Sequence, residues 1–142
     1  MHYADTSVLV TALTDEPDSV FVRQWLVRHH DSTFISDWTL TEFAGALSRK
    51  KRAGDVDDNA RREAKAGLAD LSGSSLTLLP VTRAHFHDAA DVCEADVGLR
   101  SGDALHIAVA HDHGLTIVSR DRQMVRGARE LGLEAVLLEQ TA

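Results

Sequence analysis

Four acidic residues, Asp5, Glu42, Asp103 and Asp121, stand where short apolar runs give way to helix-like segments. Carboxylates so far apart in the chain act together only if the fold gathers them. Once gathered, they repel one another unless a cation intervenes. No lysine flanks Asp5, Glu42 or Asp103, so a hard divalent cation with oxygen ligands is the expected relief. Mg2+ or Mn2+ held in this way, as one ion or as two about 4 Å apart, activates water and stabilises a leaving oxygen, which is the chemistry of phosphodiester hydrolysis. The chain has no Gly-rich loop of the P-loop pattern, which disfavours nucleoside-triphosphate chemistry.

Each acid also has a capping reading. Asp5 and Asp121 suit the N-caps of the segments that follow them. Thr39 and Glu42, three apart, have the spacing of a capping box. Asp103, two residues past Ser101, puts negative charge in a first helical turn. Taken one at a time, capping is the plainer account; the ordered set of four is what points to chemistry.

The elements that would position these acids read as a parallel sheet covered by helices, a three-layer α/β/α domain with a mostly parallel central sheet. Strands are expected near Tyr3-Ala4 and over 33–36, 76–79, 116–119 and 134–138. Helices are expected over 7–13, from Pro17-Asp18 with Val20, Phe21, Leu26 and Val27 as its apolar face, and over 37–52. A further helix carries Val56, Ala60, Leu68 and Leu71 and ends at Gly73; others run over 83–95, 103–112 and 122–131. The 103–112 segment is apolar nearly all round, so it belongs in the interior, with Gly114 as its cap. In an open parallel sheet the carboxyl ends of the strands face one edge, where ligand crevices form. Asp5 and Asp121 follow the first and fourth strands, and Glu42 lies a helical turn beyond the second.

A chain of 142 residues has length for one domain over 1–142. Its net charge of −7 argues against a bulk electrostatic nucleic-acid binder, but not against a nuclease whose acids hold cations. No apolar run approaches a membrane span and the opening residues lack a charged leader region, so the expected location is the cytoplasm. Cys93 is the sole cysteine, expected as a reduced, packed thiol.

The segments Tyr3-Ala4-Asp5-Thr6-Ser7, Thr39-Leu40-Thr41-Glu42, Arg100-Ser101-Gly102-Asp103-Ala104-Leu105-His106 and Ser119-Arg120-Asp121 resemble those of the PIN-domain nucleases, most closely the VapC-type toxins of toxin–antitoxin pairs. The resemblance implies a Mg2+- or Mn2+-dependent endoribonuclease in which Asp5, Glu42, Asp103 and Asp121 bind metal. It implies supporting roles for the hydroxyls of Thr6, Ser7 and Ser119 in the metal shell or at a bound phosphate, which stand beside a plain hydrogen-bonding reading. An RNA substrate, a homodimer and a cognate antitoxin are implied as partners. Gly102 is smaller than the residue expected before Asp103.

Other signals have plainer readings. The run Arg49-Lys50-Lys51-Arg52 closes a predicted helix, where cations suit the dipole, and it also offers an RNA contact. His85-x-His87 and His111-x-His113 are not expected to bind zinc, because residues two apart on a helix do not face each other. His106, one turn from Asp103, has a packing role, an RNA contact or a supporting role at the metal open to it. Asp96 is a spare ligand or a solvated loop acid, and Trp25 and Trp38 are expected as core or dimer contacts. Two rival functions remain. A haloacid-dehalogenase-type phosphatase needs Asp-x-Asp, where this chain has Asp5-Thr6-Ser7. A non-catalytic RNA- or protein-binding module would hold a structural ion with the same acids.

Overall fold

In a computed structural model that describes residues 1–141, the strands are β1 (His2–Ala4), β2 (Thr33–Ser36), β3 (Thr77–Leu79), β4 (Thr116–Ser119) and β5 (Ala135–Leu137). The helices are α1 (Thr6–Leu13), α2 (Ser19–His29), α3 (Asp37–Arg52), α4 (Asp58–Ser74), α5 (Arg83–Glu94), α6 (Ser101–Asp112) and α7 (Arg122–Glu130). The sheet order is β3-β2-β1-β4-β5, and every pairing is parallel. β1 is central although it has three residues: His2 and Tyr3 oppose Thr33 and Phe34 on one side, while His2 to Ala4 oppose Thr116 to Val118 on the other.

Alternation along the strands sends side chains to opposite faces. Ala4, Ile35 and Val118 pack with α1–α4 in one buried cluster, whereas Tyr3 and Ile117 pack with α6 and α7 in another. This is the expected three-layer α/β/α arrangement. α6 is buried at every position from Ala104 to Ala110, as its all-round apolar character requires, and α5 covers it through Ala89. The chain after Gly114 leaves in a left-handed turn (φ 63°). No helix among the described residues is long and apolar enough to cross a membrane.

Several boundaries and faces differ from the sequence expectation. The buried face of α2 is Ser19, Val22, Trp25 and Leu26; Val20 and Val27 are exposed. The phase of this helix is set by Trp25, which stacks on His29 at 4.5 Å and meets His2 edge-on at 5.2 Å. α6 begins at Ser101, so Asp103 is its third residue, not its first. The capping box of α3 is Ser36 with Thr39, whose hydroxyl accepts the Ser36 N–H at 3.1 Å. Thr39 and Glu42 do not form one, and Glu42 lies inside the helix. Cys93 is half-buried beside Ala89 and Leu105.

The approach to α6 is held by a close contact. A Cβ on Gly127 of α7 would lie 2.7 Å from Cγ and Cδ2 of Leu99. Gly127→Ala is therefore expected to destabilise the protein. Overpacking costs about 1–3 kcal/mol, and the gain in helix propensity offsets at most about 1 kcal/mol of it. Urea unfolding measures the difference; a midpoint at or above that of the unaltered protein contradicts it.

Candidate active site

β1 and β4 are neighbours from which the chain leaves toward opposite edges of the sheet, the kind of point at which open parallel sheets form crevices. The ladder continues past β1, where Asp5 N–H donates to the Val118 carbonyl at 3.1 Å. Asp5 then caps α1 from an extended conformation. Across the gap, Asp121 caps α7, its Oδ1 accepting Gln123 N–H at 2.8 Å. The capping readings of these two acids thus hold, and they coexist with a second property: Asp5, Glu42, Asp103 and Asp121 all line one open cleft of about 690 Å³. Thr6, Ser7, Trp38, His106, Arg49 and Arg100 line it too.

Asp5 is 5% exposed. Its Oδ1 accepts from the Ser7 hydroxyl (2.5 Å) and the Ser7 N–H (3.1 Å), and its Oδ2 from the Ser119 hydroxyl (2.5 Å). Burial nevertheless pushes the Asp5 carboxyl above its ordinary range, against the opposing pull of His106 and these hydrogen bonds. The two serines also accept backbone N–H groups from the β4–α7 turn, Ser7 from Arg120 at 2.9 Å and Ser119 from Asp121 at 3.0 Å. Ser119 is wholly buried, so it acts on the cleft through its neighbours Asp5, Ser7 and Asp121.

Glu42 is fixed differently. Its Oε1 accepts from the Thr6 hydroxyl at 2.7 Å and from His106 Nε2 at 2.5 Å. His106 Nδ1 is 2.6 Å from the Tyr3 hydroxyl, which is in turn 2.7 Å from Ser36 Oγ. Because a carboxylate only accepts, His106 donates from Nε2, and Tyr3 closes the ring's other side. Burial would raise the Glu42 carboxyl, but the hydrogen bond and charge of His106, with Thr6 and Arg49, hold it below its ordinary range. The Tyr3 hydroxyl is pushed well above its ordinary range by burial and stays protonated. Asp103 lacks such support. Burial raises its carboxyl, a backbone hydrogen bond from Arg100 opposes this, and repulsion by Asp121, Asp5 and Glu42 adds to the rise.

Gly102 lets the start of α6 approach Glu42 and Trp38 closely. A Cβ there would stand 2.8 Å from Glu42 Oε2 and 3.5 Å from the Trp38 ring, whose Nε1 donates to the Gly102 carbonyl at 3.2 Å. A larger residue there would require the Glu42 carboxylate to shift. Tyr3 was in the opening motif but carried no assigned role; its place two residues before Asp5, on the same side of the strand, was the available signal. Trp25 is a core residue, and Asp96 is an exposed left-handed turn residue (φ 56°) that does not line the cleft.

With His106 Nε2 engaged by Glu42, the ligand atoms left to the cleft are oxygens of four carboxylates and of hydroxyls, which suits a hard divalent cation. Among the described residues no three of these acids bring ligand atoms within 4.8 Å of one another. That spacing fits an ion that keeps part of its water shell, as Mg2+ does. The group that is this compact, His85, Asp112 and His113, lies at the other end of α6. There His85 Nδ1 accepts the Thr82 N–H at 3.0 Å, so the ring proton is on Nε2, which donates to Asp112 at 2.8 Å. A metal at Nε2 would need the proton moved to Nδ1, against an N–H donor. The trio is a clamp between α5 and α6.

The PIN domain profile matches residues 3–130. The chain belongs to the PIN domain family. Among solved structures it is similar to PAE2754 from Pyrobaculum aerophilum, at 25% identity over 89% of this chain and 84% of that one, with a TM-score of 0.68. It is also similar to VapC20 from Mycobacterium tuberculosis, described as a Sarcin-Ricin loop cleaving toxin (17% identity, 99% and 100% covered, TM-score 0.73). VapBC2 from Rickettsia felis, bound to a promoter DNA fragment, is a third (17%, 96% and 98%, 0.67). At their identities the last two establish a shared PIN fold and nothing finer. Comparison with curated proteins gives no match.

Proposed function

We propose that this PIN domain, read as one unit over 1–142, is a metal-dependent endoribonuclease and the toxin of a toxin–antitoxin pair. The observation that carries the reading is the convergence of Asp5, Glu42, Asp103 and Asp121 on one cleft, where among the described residues no arginine or lysine is ion-paired with any of them. In this reading the four acids hold Mg2+ or Mn2+, and the bound ion supplies Lewis-acid stabilisation and lowers the pKa of water. Ser7 and Ser119 fix both oxygens of Asp5, and Thr6 and His106 fix one oxygen of Glu42, leaving Oε2 toward Gly102. Asp121 spends one oxygen on its helix cap.

The toxin role is supported by relatives whose structures are toxin–antitoxin assemblies, among them one from Klebsiella pneumoniae. An antitoxin that covers the cleft, a homodimer and a cytoplasmic location belong to the same proposal. For the homodimer the support is Phe86, 59% exposed on an apolar strip with Ala89, Ala90 and Trp38 beside the cleft.

The test is incubation of a labelled pool of structured RNA with partner-free protein in Mg2+, in Mn2+ and in chelator. Cuts that require the metal are the expected result. Folded protein that binds RNA and leaves it whole in both metals would shift the assignment to the binding module.

A further inference from the structure

The basic run at the end of α3 divides into residues with different employment. Lys50 pairs with Glu16 at 2.8 Å, Lys51 pairs with Asp58, and Arg52 donates to the Ser48 hydroxyl at 2.8 Å. The Arg49 side chain has no hydrogen-bond or ion-pair partner among the described residues, and it lines the acidic cleft. It stands seven positions after Glu42, with Ala46 between them on the same helical face. Helical side chains lean toward the N-terminus, and Arg49 does so: its Nη1 would be 3.5 Å from a Cβ placed on Gly45. The guanidinium therefore reaches back over Gly45 toward Glu42.

Other cations near the cleft are engaged. Arg120 bridges the Leu138 carbonyl (2.8 Å) and Asp18 (2.9 Å), and Arg122 pairs with Glu139. Only Arg100, at the start of α6, shares with Arg49 the combination of lining the cleft and lacking a side-chain partner among the described residues.

We infer that Arg49 is a binding residue for a phosphate of the RNA backbone next to the one that is cut. The inference rests on the nuclease reading and deepens it. The guanidinium reaches back to the level of Gly45, about 5 Å along the helix axis from Glu42, which places its charge one turn from that acid at the edge of the cleft. A planar guanidinium with free N–H groups is the side chain suited to bidentate phosphate contact. In a protein of net charge −7 a local cation of this kind is needed to hold a polyanion beside four carboxylates.

A fluorescein-labelled single-stranded RNA oligonucleotide of mixed sequence, titrated in chelator between 50 and 200 mM KCl, separates this contact from turnover. Arg49→Ala is expected to weaken binding roughly tenfold at low salt and to reduce the salt slope by about 0.7, the value for one phosphate of a single strand. Arg52→Ala, three residues on in the same run, is expected to change neither. Equal losses in the two variants would mean bulk electrostatics and overturn the inference, as would no loss in Arg49→Ala. Failure of the unaltered protein to bind RNA in chelator overturns the inference alone, because the nuclease reading is judged by the metal-dependent cuts. Arg49-dependent binding without metal-dependent cuts keeps the contact and removes the catalytic claim.

Discussion

Asp103→Asn is expected to abolish metal-dependent RNA cleavage, by roughly 10³-fold or more, while making the metal-free protein more stable. The two effects have one cause. Asp103 is half-buried among Asp5, Glu42 and Asp121, and its carboxyl is raised by burial and by their repulsion. A raised carboxyl means that the folded state holds its proton more tightly than the unfolded chain does. In chelator, stability from this group is therefore present at acid pH. It declines as pH rises from the unfolded value, about 3.9, through the raised folded value. At neutral pH the unaltered protein carries that deficit in full and the asparagine variant does not. Adding Mg2+ or Mn2+ reverses the order, because an ion that binds only the folded state stabilises it by mass action. Thermal unfolding at pH 5 and pH 8, with metal and with chelator, reads all four combinations. An unaltered protein indifferent to metal, together with a variant less stable in chelator, would sink the assignment of Asp103.

His106→Ala is the second large effect. The ring is 1% exposed and joins Tyr3 to Glu42. Its removal opens a cavity and takes one hydrogen-bond partner from the buried Tyr3 hydroxyl, at an expected loss of about 2–4 kcal/mol in stability. The Glu42 carboxylate keeps only Thr6, and divalent-ion affinity is expected to fall about 10–100-fold, as when a group that orients a ligand is lost. Tyr3→Phe separates positioning from packing, since it keeps the aromatic ring and removes only the hydroxyl. Its expected cost is about 1–2 kcal/mol, accompanied by a measurable weakening of Mn2+ binding in calorimetry. Unchanged ion affinity in Tyr3→Phe would show that His106 holds Glu42 without help from Tyr3.

Much of this architecture is legible in the chain, and the exceptions have physical causes. β2 and β4 match the segments 33–36 and 116–119 because each is a short apolar run bounded by polar residues. β1 is too short for a pattern; its identity comes from pairing on both sides, which is non-local. The exposed valines of α2 mislead because more than one apolar stripe is available to that helix, and only the packing of Trp25 selects between them. Three acids sit at or near helix starts as the turn chemistry suggests. Glu42 does not, because Ser36 rather than Thr39 caps α3. The seven-residue spacing from Glu42 to Arg49 is visible in the sequence. What distinguishes Arg49 from Lys50, Lys51 and Arg52 is the position of Glu16, Asp58 and Ser48, which depends on the fold.

The strand order has a consequence for the timing of synthesis. Asp5 and Glu42 are made early, yet their cleft is closed by β4, which docks against β1 late in the chain. At ordinary elongation rates the roughly sixty residues between Glu42 and Asp103 take about 3–12 s to make. During that interval the nascent chain carries half a centre with no second pair of acids to share a cation. On the nuclease reading, the centre is incomplete until Asp121 has emerged. Metal binding by all four acids is thereby tied to completion of the sheet, since the cleft that gathers them exists only after β4 has docked on β1.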